Sequence, residues 1–174
     1  PIHGLSTVVH VLCRSENILA EDQAYQVLSI DASSAAIPDK EGNLPLHILT
    51  SKWRGAQITS SGGCKLGLLN VLLKIFPGAA AIQNEDGELP IHLLLDSMAY
   101  GNDDIDENVA TSAVCKLLEV SPKSVGVAED IMQRSPLHIA LTRGSECSLG
   151  ITKNILDMHR KMKISISGLD YDGE

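Results

Sequence analysis

Aromatic residues are scarce in this chain of 174 residues: they make up 3% of it, as one Trp, one Phe and three Tyr. Proteins that bind single-stranded nucleic acid without sequence preference stack the bases on aromatic rings, so this class is disfavoured. Basic residues are also few, with 14 Lys and Arg against 22 Asp and Glu and a net charge of −8. That balance opposes attraction to phosphate backbones and to anionic membrane surfaces. We therefore expect no nucleic-acid partner.

Closely spaced cysteines and long apolar runs are absent as well. The four cysteines, Cys13, Cys64, Cys115 and Cys147, never form a C-x-x-C pair, which excludes zinc knuckles and thioredoxin-type motifs. We expect reduced thiols that act as small hydrophobic residues in an intracellular, reducing compartment. No run approaches the roughly 20 apolar residues of a membrane span, so we expect no membrane insertion.

What the chain does have is an internal repeat. A Pro-[Leu/Ile]-His triplet recurs at intervals of 44, 45 and 46 residues, and a pair of large apolar residues recurs at intervals of 45. The triplets are Pro1–His3, Pro45–His47, Pro90–His92 and Pro136–His138, and the pairs are Val27-Leu28, Leu72-Leu73 and Leu117-Leu118. Two markers in one register predict a stacked array of similar units, none of which buries its apolar face alone.

Each unit reads as helix, loop, helix and turn. Proline suits the first position of a helix, and the apolar pair belongs to an amphipathic second helix. The turns before Pro45 and Pro90 hold Gly42 and Gly87, which can take a positive φ. We predict an all-α fold with units at about 1–38, 39–83, 84–129 and 130–161, followed by a C-terminal extension, 162–174. Because Pro1 already lies inside a unit, we expect the polypeptide to continue upstream.

The segments Gly42–His47 and Gly87–His92 resemble the ankyrin repeat family, in which a turn glycine, T-P-L-H and a paired-leucine helix follow in this order. The resemblance covers about residues 1–161 and implies a helix-turn-helix solenoid of four visible repeats with long insertions between the helices. Leu44 and Leu89 stand where the family has a capping Thr. A HEAT- or armadillo-like array is the alternative, because its period is 40 to 47 residues.

No residue pattern predicts catalysis, a metal or a cofactor. Four ligands of one zinc ion must lie within about 2.3 Å of it, whereas stacked units separate equivalent histidines by a whole unit. We predict instead that His3, His47, His92 and His138 hydrogen-bond turn backbone between adjacent units, while His10 and His159 have no role. The acidic run at 102–108 was tested as a calcium loop that begins at Asp104. It fails because the sixth position of that loop is Val109, where a calcium loop has glycine.

The expected function is therefore that of a non-catalytic scaffold or adaptor that binds another protein. The ankyrin resemblance places the binding surface on the turn tips and first helices, and Trp and Arg are frequent at interface hot spots. Trp53 has a second interpretation, in which it only covers the core of its unit. The candidates on this surface are Lys40, Glu41, Asn43, Lys52, Arg54, Glu85 and Glu88. The insertions between the helices offer a second surface, with Trp53 at the base of the largest insertion and with Asp103, Asp104 and Asp106 as further candidates. Two alternatives are a structural subunit of a larger assembly and a regulatory domain of an enzyme that lies outside this sequence.

Overall fold

The computed structural model describes residues 7–15, 21–53, 65–98, 107–129, 131–142 and 149–162, and all regular structure in these ranges is helical. The predicted all-α class is confirmed. Eight α-helices are α1 (Val8–Arg14), α2 (Glu21–Ile30), α3 (Pro45–Ser51), α4 (Lys65–Ile75), α5 (Pro90–Met98), α6 (Glu107–Val120), α7 (Pro136–Thr142) and α8 (Leu149–Met162). Three short 3₁₀ helices span Ala32–Ala36, Pro77–Ala81 and Pro122–Gly126.

Three first helices begin where proline predicts. Helices α3, α5 and α7 start at Pro45, Pro90 and Pro136, with the proline at the first helical position. There the missing N–H has no intrahelical role and the fixed φ is already helical. Two further prolines, Pro77 and Pro122, follow the ends of α4 and α6, and each is the first residue of a 3₁₀ helix.

The helices form two layers. Helices α1, α3, α5 and α7 contact one another in chain order, and α2, α4, α6 and α8 do the same. The 3₁₀ helices contact both layers. The core between them is aliphatic, and its largest fully buried side chains include Leu28, Leu46, Leu69, Leu94, Leu117 and Ile139. Burial of this aliphatic surface contributes about 25 cal/mol per Å² and is therefore the main interaction that stabilises the stack.

The first unit differs from the prediction. Its first described helix begins at Val8, with Thr7 as the N-cap, whereas the sequence reasoning placed the motif at Pro1–His3, which lies outside the described residues. The segment Thr7–His10 reads T-x-x-H, with Val8 in the position that proline occupies elsewhere. A search anchored on proline therefore missed it. His10, expected to have no role, is fully buried and takes part in the contact between units.

Candidate interaction surface

The turn before α3 is held by the side chain of its first residue. Asp39 Oδ1 accepts hydrogen bonds from the backbone N–H groups of Glu41 (3.1 Å) and Asn43 (2.9 Å). The backbone closes the same loop, because Asp39 N–H donates to the Asn43 carbonyl at 2.9 Å. Gly42 has a φ of 73°, a conformation that costs a residue with a Cβ about 1–2 kcal/mol. Arg14 donates to Asp39 Oδ2 at 3.3 Å and compensates this buried carboxylate.

The turn before α5 repeats this geometry with an amide. Asn84 Oδ1 accepts from the N–H groups of Asp86 (3.1 Å) and Glu88 (2.8 Å), and Gly87 has a φ of 72°. An ionised carboxylate and an amide oxygen are both acceptors, so either residue type builds this turn. The carboxylate of Asp39 differs from the amide of Asn84 in that it also forms an ion pair, with Arg14.

Adjacent turns are bonded to each other. Glu85 N–H donates to the Glu41 carbonyl at 3.3 Å, and Asn84 Nδ2 donates to Asn43 Oδ1 at 3.0 Å. A Cβ on Gly42 would lie 3.0 Å from both the backbone nitrogen and Cγ of Glu85, so the close approach of the two turns also requires glycine. The two turns form one continuous edge of the stack.

A row of buried histidines connects each first helix to the turn of the next unit. His47 Nδ1 accepts from Leu44 N–H at 3.1 Å, and its Nε2–H donates to the carbonyls of Ile82 (3.0 Å) and Glu88 (3.2 Å). His92 repeats the pattern with Val127. The prediction of backbone hydrogen bonds between units is confirmed for these two histidines, and it is wrong for His138, whose exposed ring bonds only Ser135 of its own unit.

The local half of this contact explains why leucine can occupy the cap position. Histidine is the third helical residue, and its Nδ1 accepts the N–H of the cap residue, the role that Glu or Gln has in a capping box. The arrangement requires the neutral imidazole with its proton on Nε2. Burial lowers the pKa of His47 to about 4, against opposing contributions from its carbonyl partners, and burial also lowers the pKa of His92.

Within this frame, only the tips of the turns are exposed. Lys40 and Glu41 form an ion pair at 3.3 Å, with 78% and 51% of their side chains exposed. Glu85 and Asp86 are the exposed pair of the second turn. The third turn exposes Ile131 and Met132, each by 66%. We call these six residues the tip row.

The sequence reasoning missed Ile131, Met132 and Asp86. The sequence did contain a signal for them, since each exposed pair directly precedes the residue that takes a left-handed conformation in its turn. That residue is Gly42, Gly87 and then Gln133, whose φ is 55°. The apolar pair at the tip of the third turn differs from the other two turns, which carry charged residues at their tips.

Two candidates in the turns serve the structure as much as the surface. Asn43 is half-buried, and its carbonyl accepts from His10 Nε2–H at 2.9 Å. Glu88 is half-buried and accepts from Asn84 Nδ2 at 3.2 Å. Burial raises the pKa of the Glu88 carboxyl, the Asn84 hydrogen bond opposes this, and nearby Glu129 and Asp86 add to the rise. Glu129 is itself paired with Arg134 at 2.5 Å.

Trp53 is a core residue. Its side chain has no exposed area, so the second of its two interpretations, that it covers the core, fits the structure. Its neighbour Lys52 is exposed, and the Lys52 carbonyl accepts a hydrogen bond from the buried ammonium of Lys65. Lys65 is the first residue of α4. Arg54, Asp103, Asp104 and Asp106 lie outside the described residues.

The titratable groups of the described residues are arranged for structure. Burial raises the pKa of the Cys13 thiol to about 12, and burial with Glu119 raises the pKa of Cys115, so neither is an activated nucleophile. The described residues contain no cluster of three His, Cys, Asp or Glu side chains that could hold a metal ion. None of the described helices combines the length and the apolar character that crossing a membrane requires.

The sequence was compared with protein-family models and with curated proteins. No protein-family model matches the chain, and no curated protein matches it.

Proposed function

We propose that this chain is a non-catalytic protein-interaction module, a divergent ankyrin-like array that binds a segment of another protein along the tip row. The observation that supports the proposal is that different parts of each turn make different contacts. Their backbone groups, glycines and histidine partners are used in contacts between units, while the residues at the tips contact solvent. A surface presented on a hydrogen-bonded frame loses little conformational freedom on binding.

The turn chemistry supports the ankyrin-like assignment over a HEAT-like one. HEAT units have a similar period, but they do not require a left-handed glycine before the proline of each first helix. Gly42 and Gly87 both have a positive φ, and each is followed three residues later by the proline that starts a helix. No strand occurs in the described parts of these turns.

The composition of the tip row specifies the chemistry of the partner. The exposed Glu85 and Asp86 make the middle tip acidic, so that it attracts basic groups. Ile131 and Met132 supply apolar area at the adjoining turn, and methionine adapts to irregular apolar surfaces. The partner segment therefore carries Lys or Arg residues followed by large apolar side chains, and the acidic tip accelerates its association at low salt.

A displayed library of random peptides tests the proposal. We expect selected peptides to combine basic and apolar residues, and to bind at least ten times more weakly to a double variant with Glu85→Lys and Asp86→Lys, about 1.4 kcal/mol. The matched control is a double variant with Asp22→Lys and Glu119→Lys, which makes the same change of net charge at exposed sites outside the tip row. Selected peptides whose affinity is the same for both variants, or a library that yields no saturable binder, would refute the proposed function.

A further inference from the structure

The third turn differs from the first two in its length and in its left-handed residue. It runs from 129 to 134, one residue more than the turns at 39–43 and 84–88, and in all three the first N–H donates to the last carbonyl. Its left-handed residue is Gln133, whose φ is 55°, where the other two turns have glycine. A residue with a Cβ adopts this conformation only at a cost, so other contacts hold the turn in this shape.

Arg134, the last residue of the third turn, makes such contacts. Its Nε donates to Glu129 Oε1 at 2.5 Å, which joins the two ends of the turn, and its Nη2 donates to Asp96 Oδ2 at 3.3 Å. The side chain of Glu129 is 2% exposed, and those of Arg134 and Asp96 are 23% and 20% exposed. Because a planar guanidinium bonds both carboxylates at once in a place with little water, these charge-assisted bonds hold the turn firmly.

The bond to Asp96 attaches the third turn to the first helix of the preceding unit. Asp96 is the seventh residue of α5, and Arg14 is the seventh residue of α1. Arg14 bonds Asp39 of the first turn at 3.3 Å, so the same helix position holds the following turn in both units, with the two charges exchanged. This helix position therefore fixes where a turn lies on the stack.

The residues that Arg134 holds in this way include the apolar tip. Ile131 and Met132 are each 66% exposed, and they directly precede Gln133. Side chains that are this exposed make few contacts of their own. The position of the tip is therefore set by the ends of the turn, where Glu129 and Arg134 are joined.

We propose that Arg134 is the positioning residue of the apolar tip, and that it thereby sets the preference of the tip row for partner segments with large apolar side chains. This inference rests on the proposed function and explains its apolar part. Two carboxylates of the chain itself engage the guanidinium, so Arg134 acts through Ile131 and Met132. A tip that is already held in place binds an apolar side chain without a further loss of loop freedom.

Two synthetic peptides test this positioning by fluorescence anisotropy. One carries Lys-Lys and Leu-Leu with a spacer of about two residues, because neighbouring helices pack about 10 Å apart and an extended chain rises about 3.3 Å per residue. The other has Ser-Ser in place of Leu-Leu. We expect the wild type to bind the Leu peptide about ten times more tightly than the Ser peptide, a ratio that burial of one large apolar side chain supplies.

Arg134→Lys keeps the positive charge but lacks the guanidinium fork that reaches both carboxylates. We expect the ratio of the two affinities to fall below about twofold, while the affinity for the Ser peptide stays unchanged. Because the ratio compares two peptides on one variant, a loss of global stability alone does not move it. Ile131→Ser combined with Met132→Ser should lower the ratio equally, and adding Arg134→Lys should change nothing further, as for residues that act as one unit.

Arg14→Lys is the matched control, because it makes the same substitution in the equivalent ion pair of the first turn, and we expect it to keep the wild-type ratio. Asp96→Ala, which removes the bond to α5 and leaves the Glu129 pair, replaces Arg134→Lys if the latter fails to give the wild-type circular dichroism spectrum. A wild-type ratio in Arg134→Lys or its replacement, or an equal fall in Arg14→Lys, overturns the inference and leaves the proposed function standing. Equal affinities of the wild type for the two peptides do the same. A wild type that binds neither peptide also overturns the inference, and the random library decides the proposed function separately.

Discussion

Replacing His47 by alanine removes one local hydrogen bond and two hydrogen bonds that join neighbouring units of the stack. The partners are the buried N–H of Leu44 and the carbonyls of Ile82 and Glu88, at 3.1, 3.0 and 3.2 Å. A buried group left without a partner costs about 1–3 kcal/mol. Ile82 and Glu88 are partly exposed, so water can reach their carbonyls, and the Leu44 N–H bears the full cost. We expect His47→Ala to lower the free energy of unfolding by about 2–4 kcal/mol.

His138→Ala is the matched control. His138 has the same place in the repeat motif, but its side chain is exposed and makes only local hydrogen bonds with Ser135. Loss of a local capping interaction costs about 0.5–1 kcal/mol. Urea unfolding followed by far-ultraviolet circular dichroism measures both variants. Equal losses for the two histidines would refute the assignment of stability to the contact between units.

The pH dependence supplies a second measurement on the same residue. Burial lowers the pKa of folded His47 from 6.5 to about 4, so the stability that the neutral imidazole contributes is present above pH 6.5 and is lost as the pH falls towards 4. A lowering of the pKa by this amount corresponds to about 3 kcal/mol. Since His47→Ala lacks this proton uptake, its deficit relative to the wild type should shrink by an amount of this order between pH 7 and pH 4. A deficit that is independent of pH would contradict the neutral, Nε2-protonated form.

Three further outcomes follow from the described contacts, each measured on the purified chain. Asp39→Ala should lower the free energy of unfolding in urea by about 2–3 kcal/mol, because two turn N–H groups lose their acceptor. Asp39→Asn keeps that acceptor and loses only the Arg14 pair, so it should cost about 1 kcal/mol or less. Equal costs for the two variants would contradict this. Gly42→Ala should cost at least about 1–2 kcal/mol, since it strains a positive φ and crowds Glu85, and a thermal melt like that of the wild type would exclude the close approach. In the folded chain at pH 8, Cys13 should stay unmodified by a thiol reagent in site-resolved mass spectrometry and react once urea is added; rapid native labelling would show that this thiol is accessible.

The predictable features of the turn surface are those that depend on residues close together in the sequence. A periodic Pro-x-His motif with a preceding glycine is read within ten residues, and it correctly predicted the starts of α3, α5 and α7 and the bonds of His47 and His92. The exposed tips at Lys40, Glu41 and Glu85 were likewise available from the turn pattern. The apolar tip at Ile131 and Met132 was not recognised, because apolar residues are ordinarily assigned to a core.

Other features were decided only when distant residues came together. Trp53 had two interpretations in the sequence, and its burial depends on the packing of the helices around it. His10 entered the histidine row only because the stack brings the Asn43 carbonyl to it across 33 residues. Arg14 and Asp39 form their pair in the same way. The sequence by itself determined the repeating unit, its helices and its turns, because propensity and capping act within one turn of a helix. The tertiary structure decided which equivalent residues are buried and which are exposed, because burial depends on whether a neighbouring unit covers them.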